Sequence, residues 1–288
     1  MPVMKIATTR VPATTANLGP GYDCLGVALG IANHVTVQRA EGIEHPKIAA
    51  DAAELFFKTA KIDPFGFSWH IEGEVPRSRG LGSSVTVRLG ILHGLDALGD
   101  AKLGPKRLYE LCAELEGHPD NAAPAAFGGF TVARAGAETL RCEVDETLKF
   151  ILLIPDFEVS TPEAREILPD AIPRRGAVTS VANACRITAA FLQRRYDLLR
   201  GCFADGLHQP FREPLIPFLS KAIAAGERAG ALGGFLSGSG STICCIAQGD
   251  TEAVASAVLD VAPPGSHIVV TTADNGGTRP VEPGDVIS

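Results

Sequence analysis

The run Pro76-Arg77-Ser78-Arg79-Gly80-Leu81-Gly82-Ser83-Ser84 carries the strongest chemical signal in this chain. Its glycines and paired hydroxyls stand between the strand-like segment 68–72 and an apolar-periodic stretch through Val85, Leu89, Leu92 and Leu95. Glycine lets the backbone take positive φ and approach a ligand closely. A loop of this kind, opening a helix, aims free N–H groups and the positive end of the helix dipole at an anion. Phosphate is the anion such a loop suits best. The sequence has no G-x-x-x-x-G-K-[ST] and no G-x-G-x-x-G after a strand, so neither the common P-loop nor a dinucleotide fold is supported. Taken alone, the same residues also read as a small-residue turn in which a serine caps the helix.

A second candidate is Glu116. The apolar repeat Leu108, Leu111, Cys112, Leu115 predicts a helix that starts near Pro105, ends at Glu116 and is stopped by Gly117. A carboxylate at that negative helix end is disfavoured unless solvated or given a cation. Magnesium accepts a carboxylate and phosphate oxygens together, which would suit Glu116 with the hydroxyl of Ser84.

Two more Gly/Ser/Thr runs frame the chain: Pro12-Ala13-Thr14-Thr15-Ala16-Asn17-Leu18-Gly19-Pro20-Gly21-Tyr22-Asp23, and Ser237-Gly238-Ser239-Gly240-Ser241-Thr242. Three such runs in this order resemble the GHMP kinase superfamily. With Glu116-Gly117-His118-Pro119-Asp120-Asn121-Ala122-Ala123-Pro124, the chain resembles the homoserine kinase branch of it over about residues 5 to 277.

The resemblance implies an α+β, two-part fold. An N-terminal phosphate-loop part is expected over 1–150 and a ferredoxin-like part over 151–288, with the active site between them. It implies ATP and Mg²⁺ as cofactors and phosphorylation of L-homoserine to O-phospho-L-homoserine, on the way to threonine. Pro76, Arg79, Gly80, Leu81, Gly82, Ser83, Ser84, Gly238 and Gly240 fall in the nucleotide-binding segments, and Ser84 with Glu116 match the metal ligands. Asn17, Asp23, His118, Asn121, Thr161, Arg165 and Arg212 match the substrate side. An amino-acid substrate explains that set: its ammonium wants a carboxylate such as Asp23, and its carboxylate wants a guanidinium fork such as Arg165 or Arg212. Catalysis is expected from Asn121, Glu116 and Ser84. Other branches place an aspartate where Asn121 stands, and asparagine takes no proton. Positioning and charge stabilisation are therefore expected to do most of the work.

Three departures from the family pattern stand out. Ser241 replaces a usual proline, Val85-Thr86-Val87 replaces usual alanines, and the stretch 39–50, which bears on the adenine pocket, is short. A GHMP kinase for another small alcohol, or a non-catalytic sensor on the same fold, are the alternative readings.

The elements that must carry these residues mix strands and helices without strict alternation, which favours α+β over a doubly wound sheet. Strands are predicted over 33–38, 128–132, 150–154, 243–247 and 267–271, and helices over 51–60, 178–200 and 215–229. A net charge of −7 argues against nucleic acid as a partner. No apolar run reaches membrane-spanning length. Seven cysteines without a C-x-x-C pair read as reduced thiols of a cytoplasmic protein. A homodimer is the expected assembly.

Overall fold

The computed structural model describes residues 5–281. The chain runs β1 (Ile6–Ala16), β2 (Leu25–Arg39), α1 (Lys47–Ala60), β3 (Phe67–Gly73), α2 (Ser83–Gly99), α3 (Gly104–Glu116), α4 (Ala122–Phe127), β4 (Phe130–Val132) and β5 (Leu140–Cys142). It continues through β6 (Lys149–Ile154), α5 (Thr161–Glu166), α6 (Arg174–Leu192), α7 (Gln209–Arg212), α8 (Leu219–Arg228), β7 (Gly233–Leu236), β8 (Ile243–Ala247), α9 (Thr251–Leu259), β9 (His267–Thr271) and β10 (Arg279–Pro280).

Two antiparallel sheets result. The first has the order β10-β1-β2-β4-β5, with β3 also on β2; the second has the order β7-β8-β6-β9. In the second, two strand–helix–strand units interlock so that the first and third strands are central. That is the ferredoxin-like arrangement, as expected from the sequence. The first sheet recovers a strand from the far end of the chain, because β10 pairs with β1 at Thr9 and Arg10.

Alternation along β6 shows how the layers stack. Phe150, Leu152 and Ile154 belong to the core between the sheets, whereas Ile151 and Leu153 face the core under α8 and α9. A strand with both faces buried reads as an unbroken apolar run, as Phe150–Ile154 does. Phe130 of β4 stacks on Phe191 of α6 with centroids 4.3 Å apart, tying the first sheet to the second half of the chain. On its other face the first sheet carries α1 to α4. Helix α2 lies close against β2, where Cβ atoms on Gly90 and Gly94 would meet Val35 and Val37 at 2.4 Å.

β1 and β2 form a long hairpin. Its register shifts between Pro12 and Thr14, where proline has no N–H for the ladder and a bulge bends the strand. Beyond that bend Thr14, Thr15 and Ala16 are fully buried and lead to Asn17, which lines the cleft between the sheets. The seven cysteines are free thiols, and no helix among the described residues is long and apolar enough to cross a membrane.

Burial pushes His93, on α2, down from 6.5 to about 4, and its Nε2 is buried without a hydrogen-bond partner among the described residues. The unfolded chain therefore binds a proton near pH 6.5 that the native state refuses until about pH 4. This stability is present in full above pH 6.5 and lost as pH falls toward 4, a span corresponding to about 3 kcal/mol. His93→Leu is expected to flatten the loss of melting temperature between pH 6.5 and 4. An unchanged slope would show that His93 does not carry it.

Candidate active site

The three Gly/Ser/Thr runs meet at the cleft and hold one another. Ser237 Oγ donates to the Gly80 carbonyl at 2.7 Å and shares a 2.8 Å hydrogen bond with Thr15 Oγ1. The Thr242 N–H donates to the Arg79 carbonyl at 3.2 Å, and the Gly238 N–H to the Ala16 carbonyl at 3.2 Å. Asn17 Nδ2 donates to the Gly238 carbonyl at 3.0 Å, and the Thr14 N–H to the Leu81 carbonyl at 3.2 Å. Segments more than 200 residues apart in sequence thus share one backbone joint.

Glycine is required at the centre of the joint. Gly80 has φ +72°, and a Cβ there would lie 2.1 Å from the Ser237 carbonyl oxygen. Gly82 has φ +70° and is the N-cap of α2, with no side-chain cap. Neither serine caps the helix, which corrects that reading of the loop. The Ser78 N–H donates to Ser83 Oγ at 3.3 Å, while Ser84 turns to Glu116. The first-turn N–H groups of α2 have no carbonyl within the helix to bind and open at the cleft. Asn17, Leu18 and Asp23 also take positive φ, at 70°, 46° and 56°. Such backbone costs about 1–3 kcal/mol per residue and clusters at binding sites.

Beside the joint lies a cavity of about 150 Å³. All of the residues singled out for the substrate line it: Asn17, Asp23, His118, Asn121, Thr161, Arg165 and Arg212. Gly80, Gly82, Ser83, Ser84, Gly238 and Glu116 line it too. Pro76, Leu81 and Gly240 lie outside this lining, and so does Arg79. The Arg79 side chain turns away, with Nε donating to the Pro155 carbonyl at 2.9 Å and Nη1 3.4 Å from Glu158.

Several contacts order this lining. Ser84 Oγ donates to Glu116 Oε2 at 3.0 Å, and Arg88 pairs with Glu116 Oε1. Asp23 and Arg165 form a two-pronged ion pair of 2.6 and 3.0 Å, and Arg165 also donates to the Tyr22 hydroxyl at 2.9 Å. Arg212 is buried, 2 % exposed; its Nε donates to the Ala164 carbonyl at 2.8 Å and its Nη1 to the Gly238 carbonyl at 3.1 Å and His208 Nδ1 at 3.2 Å. His208 Nε2 bonds the Gly19 carbonyl at 2.8 Å. Burial, opposed by Asp205 and aided by Arg212, holds the His208 imidazole down at about 4, hence neutral, so it can donate at Nε2 and accept at Nδ1. Asn121 Oδ1 accepts from Thr14 Oγ1 at 2.7 Å. His118 Nδ1 bonds Asp120 Oδ1 at 2.7 Å. Burial alone would lower this imidazole, but its hydrogen bond to Asp120 and that residue's charge together raise it.

A second cavity of about 560 Å³ adjoins the first and shares Ser78, Ser83 and Ser84 with it. Pro46, Ile48, Trp69, Val75 and Val87 give it one apolar wall, beside the polar Asn33, Glu72 and Arg77. Sequence reasoning pointed to 39–50 for such a pocket without naming these side chains. Trp69, the chain's one tryptophan and placed on β3, was the available signal.

The joint makes a stability test. Gly104 has φ +78° but open space around a Cβ. Gly104→Ala should therefore cost only backbone strain, about 1 kcal/mol, and Gly80→Ala at least about twice that, because its Cβ meets backbone. Urea melts giving equal losses for the two variants would contradict the joint.

Comparison with known proteins fits this geometry. Residues 47–129 match the GHMP kinases N terminal domain, and residues 187–263 the GHMP kinases C terminal domain. A homoserine kinase of Aquifex aeolicus is 38% identical over 88% of this chain and 90% of its own length. One from Caldicellulosiruptor saccharolyticus is 38% identical over 83% of each chain. The crystal structure of a homoserine kinase from Cytophaga hutchinsonii superposes with a TM-score of 0.88 at 25% identity, covering 98% of this chain and 99% of that one. Joined loops, an amphoteric cleft and relatives that match along nearly the whole chain agree, and the chain belongs to the homoserine kinase family of the GHMP kinases.

Proposed function

We propose that this chain transfers the γ-phosphoryl group of ATP to the hydroxyl of L-homoserine, giving O-phospho-L-homoserine and ADP for threonine synthesis, at the cleft between its two sheets. One observation carries the reading. Asp23, Arg165 and Arg212 share a small cleft with the opening of α2 and the Ser84–Glu116 pair. A sugar or an isoprenoid acid needs no such pairing of carboxylate with guanidinium. A sensor needs neither Ser84 nor Glu116.

The roles follow from chemistry. Backbone N–H groups of Gly80 to Ser84 cradle the phosphates at the helix opening, and Gly238 closes the cleft from the other sheet. The cavity around Trp69 and Ile48 takes the base. Ser84 and Glu116 would hold Mg²⁺, a cation that takes hydroxyl, carboxylate and phosphate oxygens; their Oγ and Oε2 stand 3.0 Å apart beside the opening of α2. When bound, Mg²⁺ would offset charge on the phosphate oxygens. The Asp23–Arg165 fork mirrors a zwitterion, so the substrate's ammonium and carboxylate replace each group's present partner. Arg212, fixed by two carbonyls and neutral His208, adds a second guanidinium. Thr161, Asn17 and His118 complete the substrate side.

Asn121 orients the acceptor hydroxyl and takes no proton. Asp120 holds His118 and the Asn121 N–H with one oxygen, Oδ1, at 2.7 and 3.0 Å, and this positions both residues at the cleft. On this reading the proton leaves late, to the transferred phosphoryl group, because a loose transition state puts little charge on the attacking hydroxyl early.

We divide the molecule at residue 150, into 1–150 and 151–288, with β10 lent back to the first sheet. A homodimer is our reading on the frequency of twofold assemblies, and a cytoplasmic site on the seven free thiols.

The test is ADP release with ATP and Mg²⁺ over L-homoserine, L-threonine, L-serine, mevalonate and galactose. Turnover should be confined largely to homoserine. Glu116→Gln should lower kcat by about 10²-fold or more, and Arg165→Met should raise the homoserine KM by about 10- to 100-fold. Turnover of another alcohol instead would overturn the substrate assignment. Asp120→Asn should keep most of kcat; its loss, with folding and binding intact, would make Asp120 the base.

A further inference from the structure

We propose that Arg88 is a positioning residue that keeps the Ser84–Glu116 site weak for a free divalent cation and fit for one that arrives with the nucleotide. This rests on the reading of Ser84 and Glu116 as metal ligands.

Arg88 stands one helical turn beyond Ser84 on α2, so both side chains leave the same face of the helix. Both reach Glu116, the last residue of α3. They divide its carboxylate between them: Ser84 Oγ holds Oε2, and Arg88 Nη1 holds Oε1. Ser84 and Glu116 line the cleft and Arg88 does not. One carboxylate oxygen is thus held by a residue of the cleft lining, while the other is tied to a fixed positive charge outside that lining.

The pair is shielded, with Arg88 17% and Glu116 9% exposed, so the charge acts through little solvent. It answers the need of a carboxylate at the negative end of a helix, which would otherwise call for a bound metal. The guanidinium grips end-on, and its buried Nε has no hydrogen-bond partner among the described residues. A guanidinium placed only to maximise its own hydrogen bonds would use its two-pronged edge. Here the geometry serves the carboxylate, selecting which oxygen is presented.

The electrostatic consequence has a definite sign. A guanidinium on Oε1 neutralises most of the charge that draws a divalent cation and repels the cation itself. Phosphate oxygens from the nucleotide restore the missing negative charge. Free metal therefore binds poorly and metal–nucleotide binds well.

Mn²⁺ binding, read by loss of the free-ion EPR signal, tests this without turnover. The nucleotide-free wild type should bind Mn²⁺ only in the millimolar range, and saturating ADP should tighten that by at least tenfold. Arg88→Gln keeps a hydrogen-bond donor and removes the charge; without nucleotide it should bind Mn²⁺ at least tenfold more tightly than wild type. Arg88→Lys should stay near wild type, and Arg88→Gln/Glu116→Gln should lose the gain. Damage to the fold would weaken binding, not strengthen it. Micromolar binding by the nucleotide-free wild type, a measurement that needs no variant, would overturn the proposal, as would no gain in Arg88→Gln. If Glu116→Gln leaves Mn²⁺ affinity with ADP unchanged, the metal-ligand reading itself falls. If it weakens that affinity while Arg88→Gln gains nothing, only the role of Arg88 falls.

Discussion

The site hangs on the contact between the Gly80 carbonyl and the Ser237 side chain. Gly80 belongs to the loop that opens α2 over the first sheet, and Ser237 to the turn between β7 and β8 of the second. The bond can form only because residue 80 has no Cβ. It brings two backbones together where side chains would hold them several ångströms apart, and Thr15, on the end of β1, joins the same network. A cleft forms beside the joint because the sheets are pinned at this edge and packed through Phe130 and Phe191 elsewhere.

Pinning fixes the electrostatics of the cleft as well. α2 starts where the joint ends, so its unpaired N–H groups face the same space as the arginines from α5 and α7. Carboxylates come from the β1–β2 loop and from the end of α3. Cations and anions from five segments would be held apart at a high cost in solvation if they were not paired. Most are: Asp23 with Arg165, Glu116 with Arg88, Arg212 with backbone carbonyls. Each pair keeps a charge oriented before any ligand arrives, which lowers the reorganisation a reaction requires.

Local signals in the sequence account for much of this. The glycine loop, the Gly117 stop after Glu116 and the apolar run at Phe150 each encode an element in a few neighbouring residues, and each is present in the structure. The residues expected on the substrate side, which line one cleft, lie in motifs that are short and continuous. The long β2 was recognised only over 33–38, since Leu25 to Leu29 are buried on every side and show no alternation. β7, with two glycines among four buried residues, has no period to read. Arg79 falls in the nucleotide-binding segment by its backbone; the direction of its side chain is set by the Pro155 carbonyl, 76 residues away, and nothing near residue 79 encodes that. The partner of Glu116 was expected to be a metal; Arg88, hidden in a helical repeat, already supplies a cation. Pairings of this kind depend on how α2 crosses α3, a packing outcome that spacing along one chain does not contain.

Phosphorus NMR of the protein with ATP, Mg²⁺ and L-homoserine addresses the central claim most directly, because it identifies the bond made. The account requires one new phosphomonoester resonance, coupled to the carbon-bound protons of homoserine and growing in step with ADP. Growth of inorganic phosphate alone, or ATP left unchanged while homoserine binds, would contradict it.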